Sequence, residues 1–155
     1  MSVKKTSFML LASLFVLAAC GESAATPVPA TGGNTAPAAG GTTINLDTAS
    51  GVEFKYAQPT LEAAAGQVTL TLNNPSVQPH NWTLVKVGEE DKANTEGNTA
   101  GAPNYAAASA IAQTKTINGG QKDTITFTAT PGTYSYICTF PGHLGGGMKG
   151  TMTVK

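Results

Sequence analysis

The sequence predicts an all-β fold, a Greek-key β-sandwich of about eight strands filling residues 42–155. Three observations carry this. Eight short runs rich in β-branched, aromatic or alternating residues follow one another, separated by Gly, Pro and Asn. Within them apolar residues share a face, as Val68, Leu70 and Leu72 do, and again Ile125 and Phe127. No long stretch repeats apolar residues at helical spacing. A segment of this length can bury one core.

In order, the predicted strands are Thr43–Asp47, Val52–Tyr56, Gln67–Asn73, His80–Val87, Lys115–Ile117, Lys122–Thr128, Thr133–Cys138 and Gly150–Val154. The pairing expected of such runs is antiparallel. Between the fourth and fifth lies a connection, residues 88–114, too long for a hairpin and read as a flap or a functional loop. It opens on Glu89-Glu90-Asp91, which reads as a solvated acidic surface. Its Ala-rich part, Tyr105–Ala112, is where a short helix is expected.

The first residues are not part of that fold. Lys4 and Lys5 precede an apolar run, Phe8–Ala19, too short to span a bilayer and typical of a signal-peptide core. The run ends in Leu17-Ala18-Ala19-Cys20, which resembles a bacterial lipobox. Cleavage before Cys20 removes residues 1–19 and leaves a lipidated N-terminus. Residues 20–41 then form an Ala/Thr/Pro/Gly linker with almost nothing to bury, a flexible coil spanning roughly 25 Å. An extracytoplasmic protein tethered to a bacterial membrane, on the periplasmic or outer face, is the expectation.

Processing leaves seven lysines against nine acidic residues, a net charge of about −2, and the chain has no Arg. A nucleic-acid partner is therefore not expected, because phosphate and base contacts call for a basic patch. With Cys20 lipidated, Cys138 has no disulfide partner, and a lone thiol in an exported protein asks for another role.

That role is suggested by "CTFPGHLGGGM", residues 138–148, together with distant His80. His80 shares strand parity with Trp82 and Leu84, Cys138 with Tyr134 and Tyr136, and Met148 with Met152 and Val154. These groups and His143 all fall at or beyond strand ends, where an antiparallel sandwich can bring them together. Taken singly, a strand-end Cys packs as a small apolar filler, a core His satisfies a local hydrogen bond, and a Met fills space. As a set they comprise every His of the chain and its only unlipidated thiol. One thiolate, two imidazoles and a thioether form a soft donor set, the blue-copper arrangement, and structural zinc sites rarely use Met. The glycines Gly145–Gly147 leave no side chains beside His143, so its ring edge is expected near the surface.

The run Cys138-Thr139-Phe140-Pro141-Gly142-His143, with Met148-Lys149-Gly150-Thr151 after it and His80-Asn81-Trp82 upstream, resembles the azurin branch of the cupredoxins. The lipobox and linker make the layout similar to that of the auracyanins, membrane-tethered blue copper proteins of filamentous photosynthetic bacteria. The resemblance covers residues 42–155. It implies one type 1 copper ion bound by His80, Cys138, His143 and Met148. It implies that Asn81 pins the two ligand loops together and that the Phe140 N–H reaches the Cys138 sulfur. Two departures stand out. Four residues, Leu144–Gly147, separate the second His from the Met where azurins have three. Pro79 occupies the position of an azurin Gly whose carbonyl approaches the metal.

The function so implied is non-enzymatic: shuttling single electrons through Cu(I)/Cu(II) in a photosynthetic or respiratory chain. The partners would be a redox donor and acceptor that dock weakly near His143 and Leu144. The alternative is an extracytoplasmic copper carrier or buffer, which wants exchangeable Met- or His-rich ligands. Here two His and two Met remain after processing. Multicopper oxidases and nitrite reductases need more His than this chain has. A Cys–His hydrolase gains nothing from Met148.

Overall fold

The computed structural model describes residues 40–99 and 106–155. The expected signal peptide, the expected lipidation site Cys20 and most of the expected linker lie outside the described residues. Eight strands and one helix follow: β1 (Thr42–Asp47), β2 (Thr60–Ala63), β3 (Gly66–Asn73), β4 (Thr83–Lys86), α1 (Glu90–Thr99), β5 (Ala112–Gln113), β6 (Lys122–Ala129), β7 (Gly132–Ile137) and β8 (Lys149–Val154). They form two sheets, ordered β1-β3-β6 and β2-β8-β7-β4-β5.

Alternation in β3 sets the core. Val68, Leu70 and Leu72 are fully buried, with Phe127 and Ile125 of β6 opposite the first two. The intervening threonines face outward and pair across the same strands, Thr69 with Thr126 at 3.3 Å and Thr71 with Thr124 at 2.9 Å. This Thr/apolar alternation gives a sandwich strand one dry and one wet face. Leu46, Trp82, Leu84, Tyr136, Met152 and Val154 complete the interior from the remaining strands.

Four expectations are corrected. The sandwich is not wholly antiparallel: β1 runs parallel to β3 and β2 parallel to β8. The chain leaves β1 for the opposite sheet, forms β2 there, and returns through Gly66 (φ 117°) to lay β3 beside β1 in the same direction. Residues 52–56 are not a strand. They close a loop over one end of the sandwich, held by the Thr48–Tyr56 bridge and by the Ala49 N–H donating to the Lys55 carbonyl at 2.9 Å. The strand of this region is β2, whose short Thr-Leu-Glu-Ala run buries only Leu61 and Ala63.

Lys115–Ile117 makes a single bridge, Ile117 to His80, and β5 at Ala112–Gln113 pairs with β4 instead. The helix of the flap is α1, earlier than expected, while residues 106–111 are turn and irregular chain leading into β5. Glu90 and Asp91, read from sequence as a solvated cluster, occupy the first turn of α1, where carboxylates favour the helix dipole. Only Ala93 of α1 is fully buried among apolar residues. It joins Val85, Ile137 and Ala107 in a small second cluster on the outer face of the five-stranded sheet. Ser135 of β7 donates to Glu90, and Glu96 accepts the Ser109 N–H at 2.8 Å and its hydroxyl at 2.7 Å. The first bond clips α1 to the sheet, and the other two tie the later part of the flap to α1.

Candidate metal centre

Three strand termini deliver the site. His80 lies before β4, in a bridge whose N–H donates to the Ile117 carbonyl at 3.0 Å and whose carbonyl accepts from Ile117 at 2.8 Å. Asn74 fixes the approach to it. Its amide donates to the carbonyls of Gln78 (2.7 Å) and Ile117 (3.0 Å), while its oxygen accepts from Thr48 and Ser76. Cys138 follows β7 and Met148 precedes β8. The Cys138 N–H donates to the Met148 carbonyl at 3.1 Å, continuing the β7–β8 ladder by one bond.

Between them the loop folds on itself. The His143 N–H donates to the Phe140 carbonyl, the Met148 N–H to the His143 carbonyl, and the N–H groups of Gly146 and Gly147 to the carbonyls of Gly142 and Leu144. Gly142 and Gly147 adopt φ of 84° and 96°, which a side chain would resist. The fourth residue between His143 and Met148 is thereby absorbed in a turn. Both ends of the loop stay at the sheet.

The donor atoms converge. His143 Nδ1 lies 3.1 Å from His80 Nδ1 and 3.5 Å from Cys138 Sγ, and His80 Nδ1 lies 4.0 Å from Sγ. A triangle with these sides has a centre about 2.1 Å from all three corners, close to the about 2.0 Å and about 2.3 Å of metal–nitrogen and metal–sulfur bonds. Burial pushes His80 down to about 4, with the neighbouring His143 adding to the effect, and burial lowers His143 as well. Both rings are therefore neutral at pH 7, with nitrogens facing a common point. Two facing lone pairs beside a sulfur repel unless a proton or a cation lies between them. That is the observation by which the residues fit a metal ion. His80, Cys138, His143 and Met148 are all within 2 % of full burial. Met148 packs in the same cluster as Cys138.

Cys138 Sγ receives the Asn81 N–H at 3.5 Å and the Phe140 N–H. Burial raises the thiol to about 11 in spite of these two donors, which favour the thiolate. Asn81 also holds the neighbouring residue from both sides. Its Nδ2 donates to Thr139 Oγ1 and the Thr139 N–H donates to its Oδ1, each at 2.8 Å. The sequence assigned Asn81 and Phe140 to these loops through the side chain of one and the N–H of the other. The direct Asn81 N–H contact to sulfur was not foreseen. Pro79 is half-buried immediately before His80.

One expectation fails here. The bare glycines do not leave the His143 ring at the surface, because Phe54 fills the space they leave. Its ring stacks on that of His143 with centroids 4.3 Å apart and planes 24° apart, and His143 is only 2 % exposed. Phe140 flanks the same ring at 4.8 Å. Leu144 is half-buried and packs partly against the cluster beneath α1. Phe54 was missed because its alternation with Tyr56 reads as a strand, and no local signal points it at the site. Tyr56 anchors that loop from below, its hydroxyl donating to the Asn81 carbonyl at 2.6 Å.

The model of the copper binding proteins of the plastocyanin/azurin family matches residues 42–155. The chain belongs to that family. Auracyanin-A and auracyanin-B of Chloroflexus aurantiacus are 41 % and 40 % identical to it over 145 and 152 residues, covering 87 % and 84 % of this chain. The chain spans 86 % of the first and 63 % of the second. Azurin of Pseudomonas aeruginosa is 32 % identical over 67 % of this chain. Among solved structures, reduced auracyanin of Roseiflexus castenholzii superposes with a TM-score of 0.68 at 41 % identity, covering 74 % of this chain and 97 % of that one. The fold is a cupredoxin with an auracyanin-like layout, and copper is the metal of the family. In plastocyanin/azurin terms, the triangle of His80, Cys138 and His143 with Met148 beside it is a type 1 copper arrangement.

Proposed function

We propose that the chain is a membrane-tethered blue copper protein that carries single electrons between redox partners. His80, Cys138, His143 and Met148 are its ligands. The convergence of two neutral imidazole nitrogens and one thiol sulfur at a buried point carries this reading. When bound, copper supplies a one-electron couple, Cu(I)/Cu(II). The chain supplies the rest. The N–H groups of Asn81 and Phe140 stabilise negative charge on sulfur. The Asn74 and Asn81 networks hold His80 and Cys138 in position before any ion arrives. Burial excludes water, and the donors need move little when the charge on the ion changes. Met148 would supply the fourth, weaker donor to the ion, and Pro79 immediately precedes His80 in the chain.

The extracytoplasmic part of the reading rests on sequence. Residues 1–19 serve as signal peptide, Cys20 carries lipid, and residues 20–41 form the tether to a domain at 42–155. Redox partners in a photosynthetic or respiratory chain dock weakly around the loop that carries His143 and Leu144. Pro141 in that loop is exposed, whereas Leu144 is half-buried. Pro141→Glu therefore tests docking with less disturbance of packing. It should slow exchange with the partner while leaving the copper spectrum in place, and unchanged kinetics would remove the loop from the docking surface.

A copper carrier is the competing reading, and the burial of all four side chains speaks against rapid transfer. Voltammetry of the copper-loaded protein with a chelator present separates the two. A reversible one-electron wave that outlasts hours of chelator is expected. Loss of copper to the chelator within seconds, with no reversible wave, would favour the carrier.

A further inference from the structure

We infer that Phe54 is a latch on the metal centre: it holds the His143 ring in its ligand pose and so sets how fast metal enters and leaves. This rests on the ligand set proposed above. The four ligand side chains are at most 2 % exposed, so a metal ion can pass only if part of the wall moves. Three sides of the site are strand ends and hydrogen-bonded networks. His80 is bridged to Ile117, Cys138 is tied to Met148, and Asn81 is locked to Thr139. The fourth side is the glycine turn, 142–147, where backbone bonds are local and the glycines are exposed. His143 is the ligand carried by that turn, so it is the one that can swing.

Phe54 stands against this motion. Its ring packs against the edge of the main core, stacks on His143 and lies over Gly146, where an added Cβ would collide with it. The absence of a side chain at Gly146 is thus the seat of the latch. Phe54 reaches over from a loop fastened independently, by the Thr48–Tyr56 bridge and the Tyr56 hydroxyl on the Asn81 carbonyl. It is a positioning residue. It acts on the donor triangle through the His143 ring it holds.

The stack seats the His143 ring with its Nδ1 towards His80 and Cys138, a pose that a bound ion would not require it to leave. It is absent only in the open state through which metal passes. Removing it should therefore speed uptake and release by the same factor and leave affinity where it was. A stacked aromatic pair corresponds to a factor of about tenfold at the upper end.

The test uses the metal-free and copper-loaded full chain, with stopped-flow absorbance after mixing with Cu(II) for uptake and absorbance followed over hours in a strong chelator for release. Phe54→Ala should accelerate both about tenfold, and Phe54→Tyr should restore both. Gly146→Ala, which dislodges the ring from the other side, should accelerate both as well, yet add nothing in a Phe54→Ala background. That last comparison protects the result if one variant folds poorly. Acceleration of release alone, or additive effects of the two substitutions, would mean that Phe54 merely stabilises the fold and would overturn the latch. Wild-type chain that takes up no copper would overturn the ligand set itself, a different failure from equal rates in wild type and Phe54→Ala.

Discussion

At Cys138 burial and hydrogen bonding pull in opposite directions. Desolvation raises the thiol to about 11, while the Asn81 and Phe140 N–H groups lean towards the thiolate without prevailing. The metal-free protein at pH 7 therefore holds a thiol beside two neutral imidazoles. Cu(II) binding as a thiolate must release close to one proton per ion, and none from the histidines. The sign follows: from neutral pH, where both imidazoles are already uncharged, up to about pH 11, where the thiol ionises unaided, apparent affinity rises about tenfold per unit. Copper titration in weak buffer with pH-stat readout checks this, and release of no proton would mean a preformed thiolate. Asn81 makes the second prediction at this scale. Asn81→Ala leaves the buried Thr139 N–H unpaired and removes two bonds of 2.8 Å. A loss of about 2–4 kcal/mol is expected in denaturant unfolding; a loss below about 0.5 kcal/mol would show that the network does not brace the loops. Residue types made His80, Cys138, His143 and Met148 legible in the sequence, because scarce donors in fixed spacing carry their own chemistry. Phe54 was illegible, since its place at the site depends on a loop from the far end of the chain.

Among the elements, α1 departs furthest from what its sequence suggests. Glu-Asp-Lys-Ala-Asn-Thr-Glu-Gly-Asn-Thr has one apolar residue, and nothing in its periodicity marks a helix. Contacts outside the helix hold it: Glu90 with Ser135, Ala93 in the Val85–Ile137 cluster, Glu96 with Ser109, and Gly97 on Thr139. A Cβ on Gly97 would lie 2.8 Å from the Thr139 Cβ. Gly→Ala inside a helix ordinarily stabilises by about 1 kcal/mol. Here the reverse is expected. Gly97→Ala should lower Tm and shift the visible band, because Thr139 adjoins Cys138 and is locked to Asn81. A raised Tm with an unchanged band would show that α1 rides free of the ligand loop. The strands divide in the same way. β3 and β6 were legible because their Thr/apolar alternation is long, whereas β2 was hidden in four residues whose pairing with β8 supplies most of its definition. The parallel pairings were hidden for a related reason: parity reports which face a residue takes and says nothing of strand direction.

For the molecule as a whole, the sandwich acts as a frame that presents donors before the ion arrives. The three donor atoms already lie within 4.8 Å of one another. Copper should then raise Tm by more than about 10 °C at saturating excess, by linkage, without altering the far-UV circular dichroism. A change in secondary structure on loading would contradict a preformed site. The sandwich class and approximate strand count were legible because a core of one domain leaves few ways to bury alternating runs. The closure of the site by the loop at 48–56 belongs to tertiary structure alone.

The central claim is that His80, Cys138, His143 and Met148 bind one copper ion through a thiolate. Stoichiometric Cu(II) added to the metal-free protein, followed by visible absorption, tests it most directly. An intense blue or green band is expected that saturates at one ion per chain and is absent in Cys138→Ser. A colourless protein, or a band that survives Cys138→Ser, would contradict it.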